Sequence, residues 1–345
     1  MASRSRSRSG SRARHERDDR RWSGEPVELQ TPFALAQVIP EAGRPWRRLL
    51  RLDGEDCSHV DLRDPTAIDF AYVRRFADLC DLLAPRGEPL DVVHLGGGGF
   101  TLPRYVLATR PGARNEVAEI DPGLVELARA ELGLRSERGL RVRVLDAREL
   151  LERRDPASAD LVVLDAFHGT NVPSHLTTLE FVAAARRALR PGGAFAANVI
   201  DVPPLEVARG VAAAAAEVFE QAAVMATRKT IRGRQGGNVV VFGAAAGLLP
   251  LAELGRRALR GGVPELAVSG EELTRWLGGA RPFRDPEPPA QPADAPAPEA
   301  HPLRAASPPQ PADAPAPEAD PLRTASPPAR VGACDGSPGS ATPPS

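Results

Sequence analysis

Two side chains that can exchange a proton follow an apolar run in the stretch LVVLDAFHGTNVP, residues 161–173. Asp165 comes directly after four apolar residues, and His168 lies three positions further along. A carboxylate at the mouth of a buried strand is costly unless it binds something. An imidazole titrates near neutral pH and can take a proton from an amine. The stretch predicts a ligand contact at Asp165, while His168 is either its acid–base partner or a polar loop residue.

Other predicted strand ends carry residues suited to binding. The first strand of the middle region runs into Gly96, Gly97 and Gly98, where missing side chains let a ligand approach the backbone. The second ends in Glu119, placed to accept hydrogen bonds from ribose hydroxyls, and the third ends in Asp146, placed to accept from the amine of a base. Together these features predict a nucleoside pocket. Since no phosphate-binding Gly-x-x-x-x-Gly-Lys motif is present, they favour S-adenosylmethionine or a relative over NAD.

The elements that must position these residues alternate along the chain. Strand patterns interleaved with helical ones predict a parallel, doubly wound, Rossmann-like α/β sheet. Two later apolar runs predict a closing hairpin, and residues 248–278 predict two peripheral helices. The strand patterns fall at 91–97, 115–121, 140–146, 159–165 and 193–201, and the hairpin at 222–228 and 237–245.

Four regions follow from the composition. Residues 1–24 form an Arg- and Ser-rich tail, 25–84 a β-rich cap with a gate helix, 85–280 the nucleoside-binding domain, and 281–345 a Pro- and Ala-rich tail. Neither tail has enough large apolar side chains to offset the entropy of ordering, so both are expected to be disordered. The second tail holds a near-identical nineteen-residue duplication at 291–309 and 310–328, which is either a docking arm for a protein partner or a tolerated extension.

Charge and cysteine content exclude several classes. The net charge is −1, and the Arg-rich tail has no interleaved aromatics, so specific nucleic-acid binding is not expected. Three cysteines without paired spacing predict neither a disulfide framework nor a zinc site, and the spacing of His59, His168 and His175 calls for no metal. Without a signal-type apolar segment or a membrane-length apolar run, the chain is expected to be cytoplasmic.

Three stretches of the chain are similar to motifs of a known family. They are VVHLGGGGFTLPRYVLATRPGARNEVAEIDPGLVELAR, VRVLDARELL and DLVVLDAFHGTNVPSHLTTLEFV. Over about residues 45–245 the chain resembles the spermidine synthase family, which are polyamine aminopropyltransferases with the class I methyltransferase fold. The resemblance implies a seven-stranded sheet, a small-molecule amine acceptor, S-adenosylmethionine or its decarboxylated form as donor, no metal, and a possible homodimer. It also places Glu119 on the ribose, Asp146 on the adenine amine and Asp165 beside the reacting end of the donor.

Several positions depart from the family pattern, which implies a divergent member. The family has an acid where Gly99 stands, a glutamine where Cys57 stands and a second carboxylate where His168 stands. After Tyr72, the family's gate continues with His and Glu, but here Arg74 follows, and an Arg in the gate would repel a polyamine. The donor site is therefore expected to be kept and the amine site to be rebuilt or lost.

Two cap residues are candidates for the amine side of the cleft. Tyr72 belongs to the gate, and His59 would border the cleft if the cap folds as in the family. The alternative for His59 is a surface pair on a hairpin with Asp61, and His94 within the first strand is interpreted as a core histidine.

The function predicted from these residues is alkylation of an amine by a sulfonium donor, with polyamine-type aminopropyl transfer as the leading form. Methyl transfer on the same fold is an alternative, favoured by the missing acid at Gly99. A non-catalytic nucleoside-binding scaffold is the alternative from another class.

Overall fold

The computed structural model describes residues 24–259 and 264–287 of the chain. The expected disorder of the two tails concerns residues almost entirely outside these ranges, and the duplicated repeat lies wholly outside them. Within the two described ranges, no helix combines the length and apolar character needed to cross a bilayer.

The cap is an antiparallel meander of four strands in sequential order. Every second residue of its central strands faces the main domain, so that Ala36, Val38, Leu50 and Val60 are buried against helix side chains of that domain. This β-rich cap agrees with the sequence prediction. Its strands are β1 (Val27–Gln30), β2 (Leu35–Glu41), β3 (Arg44–Leu52) and β4 (Glu55–Asp61).

The main sheet contains eight strands among the described residues. Its spatial order is β12-β10-β11-β9-β8-β5-β6-β7, with the first five strands along the chain parallel and the last three antiparallel to their neighbours. The bounds are β5 (Asp91–Leu95), β6 (Arg114–Glu119), β7 (Leu140–Val144), β8 (Ala159–Leu164), β9 (Leu189–Asp201), β10 (Gln221–Thr227), β11 (Gly237–Ala244) and β12 (Glu265–Ser269).

This order confirms the predicted fold class. Strands β5 to β11 form the doubly wound sheet of the class I methyltransferase fold, in which the chain returns through an antiparallel hairpin. The predicted hairpin is present, whereas the seven-strand count was one short because β12 adds an edge strand beside β10. The strand order reverses between β5 and β8, and parallel α/β sheets bind ligands at such a reversal.

Helices cover both faces of the main sheet. Asp121 caps α3 by accepting from two backbone amides, and α8 and α9 are the expected peripheral helices. The helices are α1 (Ala71–Leu83), α2 (Thr101–Thr109), α3 (Pro122–Glu131), α4 (Ala147–Glu152), α5 (Leu179–Ala188), α6 (Glu206–Val218), α7 (Arg228–Ile231), α8 (Leu251–Leu259) and α9 (Gly270–Leu277).

The ordered chain extends beyond residue 280, where the sequence placed the end of the domain. The carbonyl of Phe283 accepts from the amide of Leu179 at 2.8 Å, and its ring packs against Gly210 of α6. A Cβ at Gly210 would come within 2.2 Å of that ring, so the glycine makes room for it. The boundary was placed too early because the segment RPFRD contains only one large apolar residue.

A buried arginine fixes the gate helix α1 to the C-terminal end of α2. The Nη2 atom of Arg110 donates to the carbonyls of Cys80 and Ala84 and to a carboxylate oxygen of Asp81, at 2.8, 3.0 and 2.9 Å. The side chain of Arg110 is fully buried. It thereby supplies a donor to the Ala84 carbonyl and a second donor to the Cys80 carbonyl, which also accepts from the Ala84 amide at 3.3 Å.

Arg110→Met should therefore destabilise the fold by about 3 kcal/mol, because it removes the donor of the Ala84 carbonyl and a buried charged partner of Asp81. Urea unfolding followed by circular dichroism measures this loss. Arg129→Gln is the matched control, since Arg129 pairs with Glu126 on the exposed face of α3 and should cost less than about 0.5 kcal/mol. Equal losses in both variants would contradict the anchoring role.

Candidate active site

A cavity of about 450 Å³ opens at the carboxyl ends of β5, β6 and β8, beneath cap strand β4. It lies at the reversal in strand order, where the fold class places its ligands. Its wall brings together the glycine loop, Glu119, Asp146, Asp165, Tyr72 and His168.

The glycine loop allows the backbone to pass close to β8. Gly96 has a φ of 110°, and a Cβ there would lie 2.3 Å from the carbonyl oxygen of Asp165. A Cβ at Gly97 would lie 2.7 Å from the ring of Phe100. Only glycine fits either position, so the loop serves tight packing as well as access to the cavity.

Glu119, the last residue of β6, is buried and organises the glycine loop. Its Oε2 accepts from the amides of Gly97 and Gly98 at 2.9 and 3.2 Å, and its Oε1 accepts from the amide of Asp121 at 3.0 Å. Burial raises the pKa of Glu119, while these amides act in the opposite direction. The carboxylate thus fixes the loop while it forms part of the cavity wall.

Asp146 is held from two sides at the start of α4. Its Oδ1 accepts from the amides of Arg148 and Glu149 at 2.8 and 3.3 Å, and its Oδ2 lies 3.0 Å from Nε2 of His175. His175 comes from the loop after β8, and both side chains line the cavity. From the sequence, His175 was considered only as a metal ligand, and its spacing from the other histidines did not support that role. No group of three or more potential ligands suited to a metal occurs in the described ranges.

Asp165 follows β8, and its hydrogen-bond partners among the described residues are neutral side chains. Its Oδ1 accepts from Nδ2 of Asn198 at 3.1 Å, and the Tyr72 hydroxyl also hydrogen-bonds its carboxylate. Burial raises the pKa of Asp165 to about 7, against the opposing effect of these two hydrogen bonds. At neutral pH this carboxyl can both hold and release a proton, which suits a general base.

Tyr72 and Cys57 form the wall next to Asp165. The Tyr72 hydroxyl lies 3.3 Å from the carbonyl of Cys57, and burial raises the pKa of this phenol well above its usual value. Burial, with the nearby carboxylates, also raises the pKa of the Cys57 thiol to about 11. Cys57 is therefore a neutral contact rather than a nucleophile at neutral pH.

His168 lies in an exposed turn at the cavity rim. Its backbone exchanges hydrogen bonds with Asn171, at 2.8 and 3.2 Å, which closes a tight turn around Gly169. Within the described part of the chain, the imidazole has no hydrogen bond or ion pair with Asp165. The two residues share one cavity wall, but the structure does not pair them directly.

His59 and Arg74 lie outside the lining of the cavity. His59 alternates with Ser58 and Val60 along β4, so its ring faces the other side, where Nδ1 lies 2.8 Å from a carboxylate oxygen of Asp69. The expectation that His59 borders the cleft is corrected accordingly. The guanidinium of Arg74 donates to the carbonyl of Ile68, so it does not face a ligand in the cavity.

The packing around Gly99 leaves no room for an acid at this position. A Cβ at Gly99 would lie 2.6 Å from Cβ of Ser58 and 3.0 Å from the Val60 side chain. The Gly99 amide donates to the Ser58 hydroxyl at 3.1 Å. Cap residues thus fill the space that a carboxylate at this position would need.

Two polar residues, His94 and Asn198, lie within buried strands of the main sheet. His94 is buried and bonds Asn115 at 2.8 Å, and burial lowers its pKa to about 4, which confirms its interpretation as a core histidine. Asn198 was missed by the sequence analysis, although an amide in the middle of the apolar strand GAFAANVID is itself a signal. Its Oδ1 is buried and has no hydrogen-bond partner among the described residues.

Comparison with known proteins gives a consistent result. No family model matches the chain. A polyamine aminopropyltransferase of Vibrio vulnificus is 30% identical over 198 residues, which cover 51% of this chain and 64% of the relative. One from Chromobacterium violaceum is 28% identical over 159 residues, covering 44% and 57%. The chain thus aligns with less than two thirds of the length of these relatives.

Solved structures agree with the sequence matches. The crystal structure of a probable spermidine synthase from Corynebacterium glutamicum superposes with a TM-score of 0.71 at 29% identity, covering 78% of this chain and 99% of that one. A spermidine synthase in complex with the analogue AdoDATO superposes with a TM-score of 0.52 at 20% identity, which supports the fold alone.

The fold and its cavity define a Rossmann-like α/β protein of the class I methyltransferase type. In sequence the chain is similar to polyamine aminopropyltransferases, and in fold and sequence it is similar to a probable spermidine synthase.

Asp165→Asn should raise stability in a pH-dependent way. Because the folded-state pKa of about 7 lies above the unfolded value of 3.8, the wild type is favoured by protonation below about pH 4 and loses that stabilisation as pH rises through 7. We expect Asn to gain about 2 kcal/mol over the wild type at pH 8, and little at pH 4. Thermal unfolding at both pH values measures the difference, and a gain independent of pH would contradict the raised pKa.

Gly99→Ala should cost about 2 kcal/mol, since the new methyl overlaps Ser58. Adding Ser58→Gly should recover at least half of this loss. The control is Gly255→Ala on α8, where no atom lies within 4 Å of the new Cβ and helix propensity predicts a small gain. Chemical denaturation measures all three, and an undiminished loss in the double variant would contradict the packing account.

Proposed function

We propose that this protein transfers an aminopropyl group from decarboxylated S-adenosylmethionine to a small-molecule amine acceptor. The curated relatives named polyamine aminopropyltransferase and the probable spermidine synthase structure support this reaction class. The lining of the cavity carries the proposal further, because its charges suit a cationic donor and a cationic acceptor.

The described lining of the cavity contains seven carboxylates and no arginine or lysine. Arg51, which lies outside the lining, pairs with Asp56 at 2.9 Å, but the group as a whole remains acidic and favours ligands that bring positive charge. A sulfonium donor and a protonated amine both do so. The seven are Asp53, Glu55, Asp56, Glu119, Asp121, Asp146 and Asp165.

The same lining favours the decarboxylated donor over S-adenosylmethionine. The methionine carboxylate of the latter would enter a wall of carboxylates without a cation from the described lining to pair with it. Selection can thus persist although Gly99 replaces the family's acid. Methyl transfer, which uses the carboxylated donor, is disfavoured for this reason, and the relatives' names do not favour a non-catalytic scaffold.

Each proposed site residue has a role that its position supports. Glu119 accepts from the ribose hydroxyls, Asp146 accepts from the adenine amine, and the glycine loop gives the donor access to the backbone. Tyr72 and Asp165 hold the acceptor amine near the reacting carbon. His168, exposed at the rim, passes the released proton to solvent.

The reaction balances with these groups alone. The amine nitrogen attacks the propyl carbon bound to sulfur, a carbon–nitrogen bond forms, the carbon–sulfur bond breaks, and neutral 5′-methylthioadenosine leaves. The acceptor nitrogen loses one proton, either before or after the attack, and Asp165 accepts this proton. Holding the two substrates in line and excluding water supplies most of the rate enhancement.

Three further expectations rest on sequence features and stay predictions. They are a cytoplasmic location, the possible homodimer that the resemblance implies, and a Pro-rich tail that is either a docking arm for a protein partner or a tolerated extension.

Calorimetric titration of the two donors tests the proposal. Decarboxylated S-adenosylmethionine should bind at least about tenfold more tightly than S-adenosylmethionine, because only the latter buries an unpaired carboxylate. Glu119→Gln should weaken both donors, while Arg129→Gln on the outer face of α3 should weaken neither. Tighter binding of S-adenosylmethionine than of its decarboxylated form would contradict aminopropyl transfer and favour methyl transfer.

A further inference from the structure

The segment 281–285, termed here the C-terminal clasp, packs across the start of α5 and onto α6. Its backbone pairs with the start of α5 through Phe283 and Leu179, as described above. Arg284 reaches carboxylates of Glu180 and Glu217 at 3.5 and 3.4 Å, and the amide of Asp285 donates to Glu180 at 2.9 Å. Contacts to two helices thus fix the clasp and direct its last residue toward α4.

Asp285 ends the clasp in a two-pronged ion pair with Arg148 of α4. Nη1 of Arg148 lies 2.7 Å from Oδ1 of Asp285, and Nη2 contacts Oδ2. The two side chains are 20% and 29% exposed, so the pair is largely shielded from solvent. The guanidinium lowers the pKa of Asp285, which keeps the carboxylate charged. Bidentate pairs of this kind fix orientation as well as distance.

Arg148 also holds the loop that forms one wall of the cavity. Its Nη1 donates to the carbonyl of His175 at 3.1 Å, and its Nε pairs with Glu152 on its own helix at 2.7 Å. The ring of His175 in turn meets Asp146, 3.0 Å away. A continuous set of contacts therefore runs from Asp285 through Arg148 and His175 to Asp146, the carboxylate proposed to bind the adenine of the donor.

We propose that Asp285 and Arg148 are positioning residues for the nucleoside end of the cavity, acting through His175 on Asp146. Neither residue lines the cavity, so their influence comes through the loop they hold. The effect on nucleoside binding rests on the proposed function, whereas the effect on the loop does not. Because the reacting end around Asp165 lies outside this set of contacts, donor affinity should change more than the rate of the chemical step.

Two measurements on the full-length protein test this. In the ligand-free protein, Asp285→Asn should speed amide exchange of loop residues 171–177 about tenfold, and Asp285→Glu should restore most of the protection. With 5′-methylthioadenosine as probe, Asp285→Asn should raise Kd about fivefold. In turnover, KM for the donor should rise while kcat changes less than about twofold.

Arg153→Gln is the matched control, because Arg153 pairs with Glu149 on the exposed side of the same helix. It should leave loop exchange and probe affinity unchanged. Unchanged exchange of residues 171–177 in Asp285→Asn would overturn the proposal, as would equal effects of the control. Failure of the wild type to bind the probe would instead refute the proposed donor site, and the exchange result would still decide whether the clasp holds the loop.

Discussion

The carboxylate of Asp165 lies at the end of a buried strand with neutral donors as its partners. Asn198 and Tyr72 bond it, and no arginine or lysine pairs with it among the described residues. The cost of burying its charge keeps its pKa near 7 until a ligand brings positive charge. Ionisation of Asp165 and binding of a cation are therefore linked, and the rest of the site is arranged around that link.

The surrounding architecture keeps cations away from this carboxylate. Buried arginines are used elsewhere as anchors, such as Arg110 at the end of the gate helix and Arg48 between the cap and Glu131. Arg74, whose sequence position suggested repulsion of a polyamine, is turned to a backbone carbonyl. The chain thus places positive charge outside the cavity and leaves the lining acidic, which is the electrostatic condition for two cationic substrates.

The strand-end acids could be predicted from the sequence because parallel strands bring their carboxyl ends to one edge. Glu119, Asp146 and Asp165 all line the cavity for that reason. The directions in which side chains point were harder to predict than the positions of strand ends. His59, for example, faces away from the cavity because it alternates with Ser58 on β4. Gly99 looked like a loss of selectivity, but its contact with Ser58 depends on how the cap packs, which a single sequence does not specify.

Long-range contacts were also beyond the sequence analysis. Asp285 meets Arg148 across a separation of 137 residues, and the polar segment that carries Asp285 has the composition of a tail. The eighth strand was missed because ELAVS is short and lies between two helical patterns. Both features depend on neighbours that only the folded chain supplies.

Product analysis tests the central claim most directly. The protein is incubated with decarboxylated S-adenosylmethionine and a panel of primary amines, and the products are identified by mass spectrometry. An acidic lining built for a cationic donor predicts an aminopropylated amine and an equal amount of 5′-methylthioadenosine, with a kcat/KM that rises as pH increases through about 7. A methylated amine from S-adenosylmethionine, with no aminopropyl product from the decarboxylated donor, would contradict it.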